Sequence, residues 1–147
     1  MELAQEAARS LTAQAAAQAV HISVTGTAGT VFGVRRLLYE IARNLCENAV
    51  KYNVPGGSVT VEVAETDRDV TLLVRDTGIG IPEGDQSRVF ERFYRVDKSH
   101  SRAIGGTGLG LSIVKHAVAY HHGTLRLESQ PGKGTVITVT LPKEPTE

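Results

Sequence analysis

The chain has a single cysteine, Cys46, among 147 residues. That excludes an internal disulfide and a cysteine-based zinc site, and it fits a reducing compartment. It also lacks an excess of either charge. Lys and Arg number 16, Asp and Glu number 16, and the formal net charge is zero. A general binder of nucleic acid or of anionic membrane needs a more basic surface, so no nucleic-acid partner is expected. No apolar run approaches the ~20 residues that span a bilayer, and the chain opens on no signal-peptide pattern. Three phosphate-binding signatures are missing too. There is no G-x-x-x-x-G-K-[ST], no G-x-G-x-x-G, and no protein-kinase catalytic loop with D-F-G.

What is present has ordinary globular composition, 41% hydrophobic and 22% charged, and the length suits one domain. Residues 2–19 are rich in Ala, Gln, Glu and Leu and predict a helix with Leu3, Ala7, Leu11 and Ala15 as its apolar stripe. His21 to Thr25 alternates as a short strand, Gly26 to Gly29 is a turn, and residues 30–32 read as a second short strand. Residues 34–52 predict the longest helix, with Leu38, Ile41, Leu45 and Ala49 on its buried face. Asn53-Val54-Pro55-Gly56-Gly57 stops it. Strands follow at 58–64 and 70–75 as a hairpin. Residues 87–93 read as a short helix. A helix over 109–122 puts Leu109, Ile113, Ala117 and Tyr120 on one face, with Gly123 as its stop. Strands at 124–129 and 135–141 close the domain at 142, and residues 143–147 read as a frayed tail. The order implies an α+β fold, with helices on one face of a mixed, mostly antiparallel sheet.

Three stretches carry polar residues that this framework does not need. On the long helix, Asn44 and Asn48 stand four apart, although Asn disfavours helix interiors. Glu40 and Lys51 extend their edge. An amide oxygen is a hard ligand suited to Mg²⁺, and a lysine suits phosphate. After the strand at 70–75 comes Asp76-Thr77-Gly78-Ile79-Gly80-Ile81-Pro82, where a carboxylate can accept from an amine edge beside glycines that allow close approach. Third, seven of the fifteen glycines lie between residues 78 and 110. Gly105 to Leu111 opens the last helix, where exposed N–H groups suit phosphate. The preceding loop holds Arg88, Arg92, Arg95, Lys98 and Arg102 against Glu91 and Asp97, a net +3 in a neutral chain. It reads as a lid for a polyanion.

Taken together, these residues resemble the catalytic, ATP-binding domain of bacterial sensor histidine kinases, of the GHKL superfamily. Residues 44–52 resemble the N box, 76–80 the G1 box, 89–97 the F box, 106–111 the G2 box, and 132–135 the later glycine turn. The F box separates sensor kinases from the gyrase, chaperone and mismatch-repair branches, and within its branch the chain looks most like the phosphate-sensor type. The resemblance implies a two-layer α/β sandwich (the Bergerat fold) over residues 1–142. It implies that Mg-ATP binds and that its γ-phosphate goes to a histidine on a separate dimerisation domain, with a response regulator downstream. Asp76 would accept from the adenine amine. Asn48 would hold Mg²⁺ with Asn44 beside it, and Lys51 and Tyr52 would meet phosphates and nucleoside. Arg95 and Arg102 would reach the γ-phosphate. Gly78, Gly80, Ile81, Gly106, Thr107, Gly108, Leu109, Gly110 and Thr135 would complete the ATP site, and Asn44, Asn48 and Arg95 would be its catalytic residues. The domain alone would be monomeric, in a homodimeric parent, as the cytoplasmic part of a membrane-bound sensor.

None of the histidines 21, 100, 116, 121 and 122 lies in an H-E/D-x-x-[TN]-P-like acceptor block, so the acceptor is expected outside this chain. His121 and His122 read as a helix C-terminus that favours partial positive charge. Gly33-Val34 stands where a capping Asp is common, so the long helix is expected to be poorly capped. The alternatives are a nucleotide-binding module without histidine transfer, degenerate or anti-sigma-like, and a gyrase-type hydrolase. The hydrolase needs a Glu where Asn44 stands.

Overall fold

A computed structural model describes residues 2–26, 34–81 and 110–143. The expected strand at 30–32, the helix at 87–93 and the basic loop lie outside the described residues. In chain order the elements are α1 (Glu2–Ser10), α2 (Thr12–Ala17), β1 (His21–Gly26), α3 (Arg35–Lys51), β2 (Ser58–Glu65), β3 (Asp69–Asp76), α4 (Gly110–Tyr120), β4 (Thr124–Gln130) and β5 (Gly134–Pro142).

The five strands form one sheet in the order β1-β2-β3-β5-β4. Among the described residues only the β1–β2 pair is parallel; the other pairs are antiparallel. Alternation along each strand sends Val59, Val61, Val63, Val70, Val74, Ile137, Val139 and Leu141 into the core. The opposite face is mostly Thr, Glu and Arg, as a solvated sheet face should be. Helix α3 lies between α1 and α4 and touches β2 and β3, while α1 meets β1 and α4 meets β4. Its Ile41, Leu45, Cys46, Ala49 and Val50 are buried. This is the expected two-layer α+β sandwich.

Four local expectations need correction. The first helix is broken at Leu11. There Ser10 Oγ donates to the Ala7 carbonyl at 2.7 Å and Thr12 Oγ1 to the Arg9 carbonyl at 3.0 Å, so side chains compete for acceptors of the helical ladder. On α4 the buried row is Val114, Ala117, Val118 and His121, whereas Ile113 and Tyr120 are exposed; the true face is rotated from the expected one. The left-handed residue after α4 is His122 (φ 59°), not Gly123. The Gly123 and His122 N–H groups close back on the Val118 and Ala119 carbonyls, a Schellman end. Finally, Lys143 is held, its N–H on the Arg68 carbonyl and its Nζ 2.9 Å from Glu65. The tail beyond it, from 144, lies outside the described residues.

His121 follows the C-terminus of α4, as expected, and its ring is tied into the core. It is 7% exposed. Its Nδ1 lies 2.8 Å from the Ala117 carbonyl, and its Nε2 accepts the Val34 N–H at 3.1 Å. With Nε2 accepting from Val34, Nδ1 is the nitrogen that donates to Ala117. Val34 precedes α3 and has no side-chain cap of its own. The first turn of α3 therefore has no side-chain cap, as expected, and the imidazole just past α4 engages there only the Val34 N–H that precedes the helix.

Candidate nucleotide-binding site

Asp76 is the last residue of β3, on the core face, and pairs across the sheet with Thr135. Its Oδ1 accepts the Gly78 N–H at 2.9 Å and the Thr135 N–H at 3.2 Å. No donor among the described residues reaches Oδ2. Burial pushes the carboxyl up from an ordinary 3.8 to about 6, against the pull of those two N–H groups.

The loop after Asp76 is fixed from two sides. A Cβ on Gly78 would collide with the Tyr52 carbonyl at the end of α3, and the Ile79 N–H donates to that same carbonyl at 3.1 Å. Gly80 has φ +75°, and a Cβ there would collide with the Gln130 carbonyl. On the β4–β5 side the Gly132 N–H donates to the Ile79 carbonyl at 2.8 Å. The Ile81 N–H donates to Ser129 Oγ at 2.8 Å. Thus the two glycines first serve packing of backbone on backbone, which holds the carboxylate still. At the loop's start, Thr77 Oγ1 accepts the Ser58 N–H at 2.9 Å, and Asn53 Nδ2 donates to the Ser58 carbonyl at 2.9 Å. Asn53, Thr77 and Ser129 were not singled out in the sequence. Only their positions beside the glycine turns could have marked them.

Along α3, Asn44 and Asn48 are both half-buried. Asn44 Nδ2 donates to the Glu40 backbone carbonyl at 2.7 Å and to Glu40 Oε2 at 3.0 Å, which spends its donors and leaves its side-chain oxygen as an acceptor. No hydrogen bond among the described residues engages the Asn48 side chain. Glu47 takes Lys51 at 2.7 Å and Arg43 at 2.6 Å. Burial raises its pKa, but these two cations outweigh that and hold the carboxyl below its ordinary range. Lys51, expected to face phosphate, therefore sits on Glu47. Tyr52 ends α3, and its backbone meets the Asp76 loop.

The structure brings together Tyr52, Asp76, Gly78, Gly80, Ile81 and Thr135, with Asn44, Asn48 and Lys51 on the helix that runs up to them. Gly110 begins α4. Arg95, Arg102, Gly106, Thr107, Gly108 and Leu109 lie outside the described residues. Among the described residues no three His, Cys, Asp or Glu side chains converge on a metal site.

A family profile described as histidine kinase-, DNA gyrase B- and HSP90-like ATPase matches residues 33–145. The sensor-like histidine kinase SenX3 of Mycolicibacterium smegmatis is 47% identical over 133 residues, 88% of this chain and 35% of that protein. WalK of Bacillus subtilis is 49% identical over 105 residues, 70% of this chain and 17% of that protein. The chain thus spans about a third or less of these relatives. Among solved structures, the mycobacterial sensor histidine kinase MprB superposes with a TM-score of 0.85 at 34% identity, covering 99% of this chain and 96% of that one. Full-length ShkA in complex with AMPPNP superposes at 0.83 with 26% identity, covering 99% of this chain and 30% of that one. On this match of sequence and fold, the chain belongs to the histidine kinase-, DNA gyrase B- and HSP90-like ATPase family, in its sensor histidine kinase branch.

Proposed function

We propose that this chain is the catalytic part of a protein-histidine kinase, a domain over residues 1–142 that binds Mg-ATP and donates its γ-phosphate to a histidine on a separate dimerisation domain. The observation that carries the reading is Asp76. A half-buried carboxylate whose Oδ1 is held by two backbone N–H groups leaves Oδ2 to accept from an amine, and the adenine amine is the matching donor. Desolvation there is costly unless something is bound, which marks a site rather than a turn.

The donor set on α3 fits Mg²⁺. Asn48 offers a hard carbonyl oxygen with no competing partner among the described residues, and Asn44 offers a second. A bound Mg²⁺ would supply charge neutralisation for the phosphates. The chain's part in transfer is to hold the nucleotide in place by its adenine edge and to present Asn44, Asn48 and Lys51 toward the phosphates. Arg95, Arg102 and the glycines 106, 108 and 110 belong to the same reading as phosphate contacts. The domain works as a monomer unless joined to its dimerisation domain. The parent is a homodimeric, membrane-bound sensor with this part in the cytoplasm, and it passes phosphate to a response regulator.

Calorimetric titration with ADP and AMPPNP, with and without Mg²⁺, tests the reading. Binding that is lost in Asp76→Ala, and a Mg²⁺ dependence that is lost in Asn48→Ala, are expected. Absence of binding in the parent domain sinks it in favour of a module that does not use nucleotide. Label transfer from ATP to a supplied dimerisation domain then tests the kinase step.

A further inference from the structure

Helix α3 carries two carboxylates, and only one of them has been given a task. Glu47 binds two cations, Lys51 at 2.7 Å and Arg43 at 2.6 Å. Glu40 binds no cation among the described residues, although Arg36 stands four residues before it and Arg43 three after, both within helical reach. A cation would make the stronger pair. Glu40 holds the Asn44 amide instead. Its Oε2 accepts from Asn44 Nδ2 at 3.0 Å, and its backbone carbonyl accepts from the same nitrogen at 2.7 Å. Both residues are half-buried.

An amide nitrogen has two protons, and a carbonyl or an ionised carboxylate can only accept. With one proton on each Glu40 acceptor both are taken, and the two acceptors together fix the plane of the amide. Turning the group over would set its oxygen against two other oxygens. The oxygen is thus the end of Asn44 that remains for a ligand. Without the carboxylate, one proton loses its partner, and the amide is free to swivel about its single bond to the backbone carbonyl. We propose that Glu40 is a positioning residue for Mg²⁺, which holds Asn44 by both protons so that an oxygen, and not an N–H edge, is what this side chain offers the cation. The inference rests on the nucleotide reading and deepens it, since Asn44 belongs there to the Mg-ATP site. Asn48, one turn on, has no hydrogen-bond partner among the described residues. Helix α3 therefore offers the ion one prearranged oxygen and one that adjusts to it.

Calorimetry with AMPPNP reads the Mg²⁺ enhancement, the ratio of affinities with and without the ion. It is measured in wild type, Glu40→Gln, Glu40→Leu, Asn44→Leu and the last two combined. Glutamine keeps an acceptor oxygen without the charge, and leucine keeps neither. Glu40→Leu should lower the enhancement about three- to tenfold, one hydrogen bond's worth, while Glu40→Gln stays within about twofold of wild type. Asn44→Leu should lower it at least as far, and the combined variant no further. If Glu40→Gln loses as much as Glu40→Leu, or if the combined variant falls below Asn44→Leu, the carboxylate acts on the ion directly and the positioning role is overturned. Equal loss of affinity with and without Mg²⁺ in Glu40→Leu means a loosened helix and overturns it as well. Should the leucine variants not fold, nuclear magnetic resonance of the nucleotide-free wild-type domain decides. Slow exchange of both Asn44 side-chain amide protons with water is expected, and exchange as fast as that of a free asparagine overturns the inference. Wild-type protein that binds no nucleotide, or binds it with no help from Mg²⁺, removes the reading above and this inference together. Wild-type enhancement that is indifferent to Glu40→Leu removes this inference alone.

Discussion

The two halves of the candidate site are built differently. Around Asp76 the material is backbone. Gly78 rests on the Tyr52 carbonyl, Gly80 on the Gln130 carbonyl, and both bonds to Oδ1 come from N–H groups. Along α3 the material is side chains that hold one another. Arg43, Glu47 and Lys51 form one chain of ion pairs, and Asn44 leans on Glu40. A site made of backbone is ordered when the domain folds, so binding needs little further ordering. One made of paired side chains can trade partners. Lys51 can pass from Glu47 to a phosphate at modest cost, because such pairs are individually weak.

The contrast predicts that small changes on the first side cost much. Gly80→Ala should be the most damaging substitution considered. It puts a Cβ on a residue at φ +75° and drives it into the Gln130 carbonyl. Loss of about 3 kcal/mol or more in a urea melt is expected, beyond the ~1 kcal/mol of a simple left-handed glycine site. A loss under about 1 kcal/mol would show that the loop can shift, and the contrast would break there.

Asp76→Asn separates stability from binding. The carboxyl is raised to about 6 by burial, so the folded state binds its proton more tightly than the unfolded chain does. The resulting stability is full below about pH 4, falls as pH rises, and is gone above about pH 6, a swing of about 3 kcal/mol. Asparagine keeps an acceptor for the two N–H groups but has no charge to desolvate. At pH 8 the variant should be about 1–3 kcal/mol more stable, and its stability should vary less between pH 4 and 6. It should nevertheless bind ADP at least about tenfold more weakly, because its amide nitrogen meets an amine with a second donor. Denaturant melts across that range, beside calorimetry, check both. A variant that loses stability at pH 8 would contradict the desolvated carboxylate.

The backbone side was legible where composition forces geometry. Asp76 ends a strand before two glycines, and only glycine tolerates the approaches that Gly78 and Gly80 make. The sheet was legible because the Val-rich strands alternate cleanly, as in 58–65. The side-chain half was less so. Lys51 was expected to face phosphate, yet Glu47 lies four residues before it and takes it, and helical spacing serves both arrangements equally. On α4, Ile113 and Tyr120 look as apolar as Val114 and Val118, and only the packing on α3 and β4 decides between the faces. The long-range bond of His121 was missed for a related reason. Nothing local shows that its partner is Val34, 87 residues earlier.

That long-range bond yields the third prediction, at the end of α3 opposite the Asp76 loop. His121→Phe keeps a ring but removes the nitrogen that accepts the Val34 N–H. A cost of about 1–3 kcal/mol is expected from the orphaned group, with faster amide exchange at the start of α3. ADP binding should change little, since the far end of the helix is held independently by the Tyr52 carbonyl. Equal loss of stability and of ADP affinity would mean that the two ends are not separable.

Glu47→Gln should have the smallest effect. Its carboxyl is held below its ordinary range by Lys51 and Arg43 after the cost of burial, so its contribution is present above its ordinary pKa of 4.5 and is lost as pH falls through the depressed value. At pH 8 the loss should be under about 1 kcal/mol, because Arg43 is half-exposed and both pairs are i,i+4 helix pairs. Removing the charge frees Lys51 and takes a negative group away from the phosphates. Affinity for AMPPNP should therefore rise about two- to fivefold and more steeply at low salt, while ADP, with one phosphate fewer, gains less. Affinity that falls instead would mean that Glu47 positions Lys51 for the phosphates rather than withholding it, and the paired charges of α3 would then be as prearranged as the backbone around Asp76.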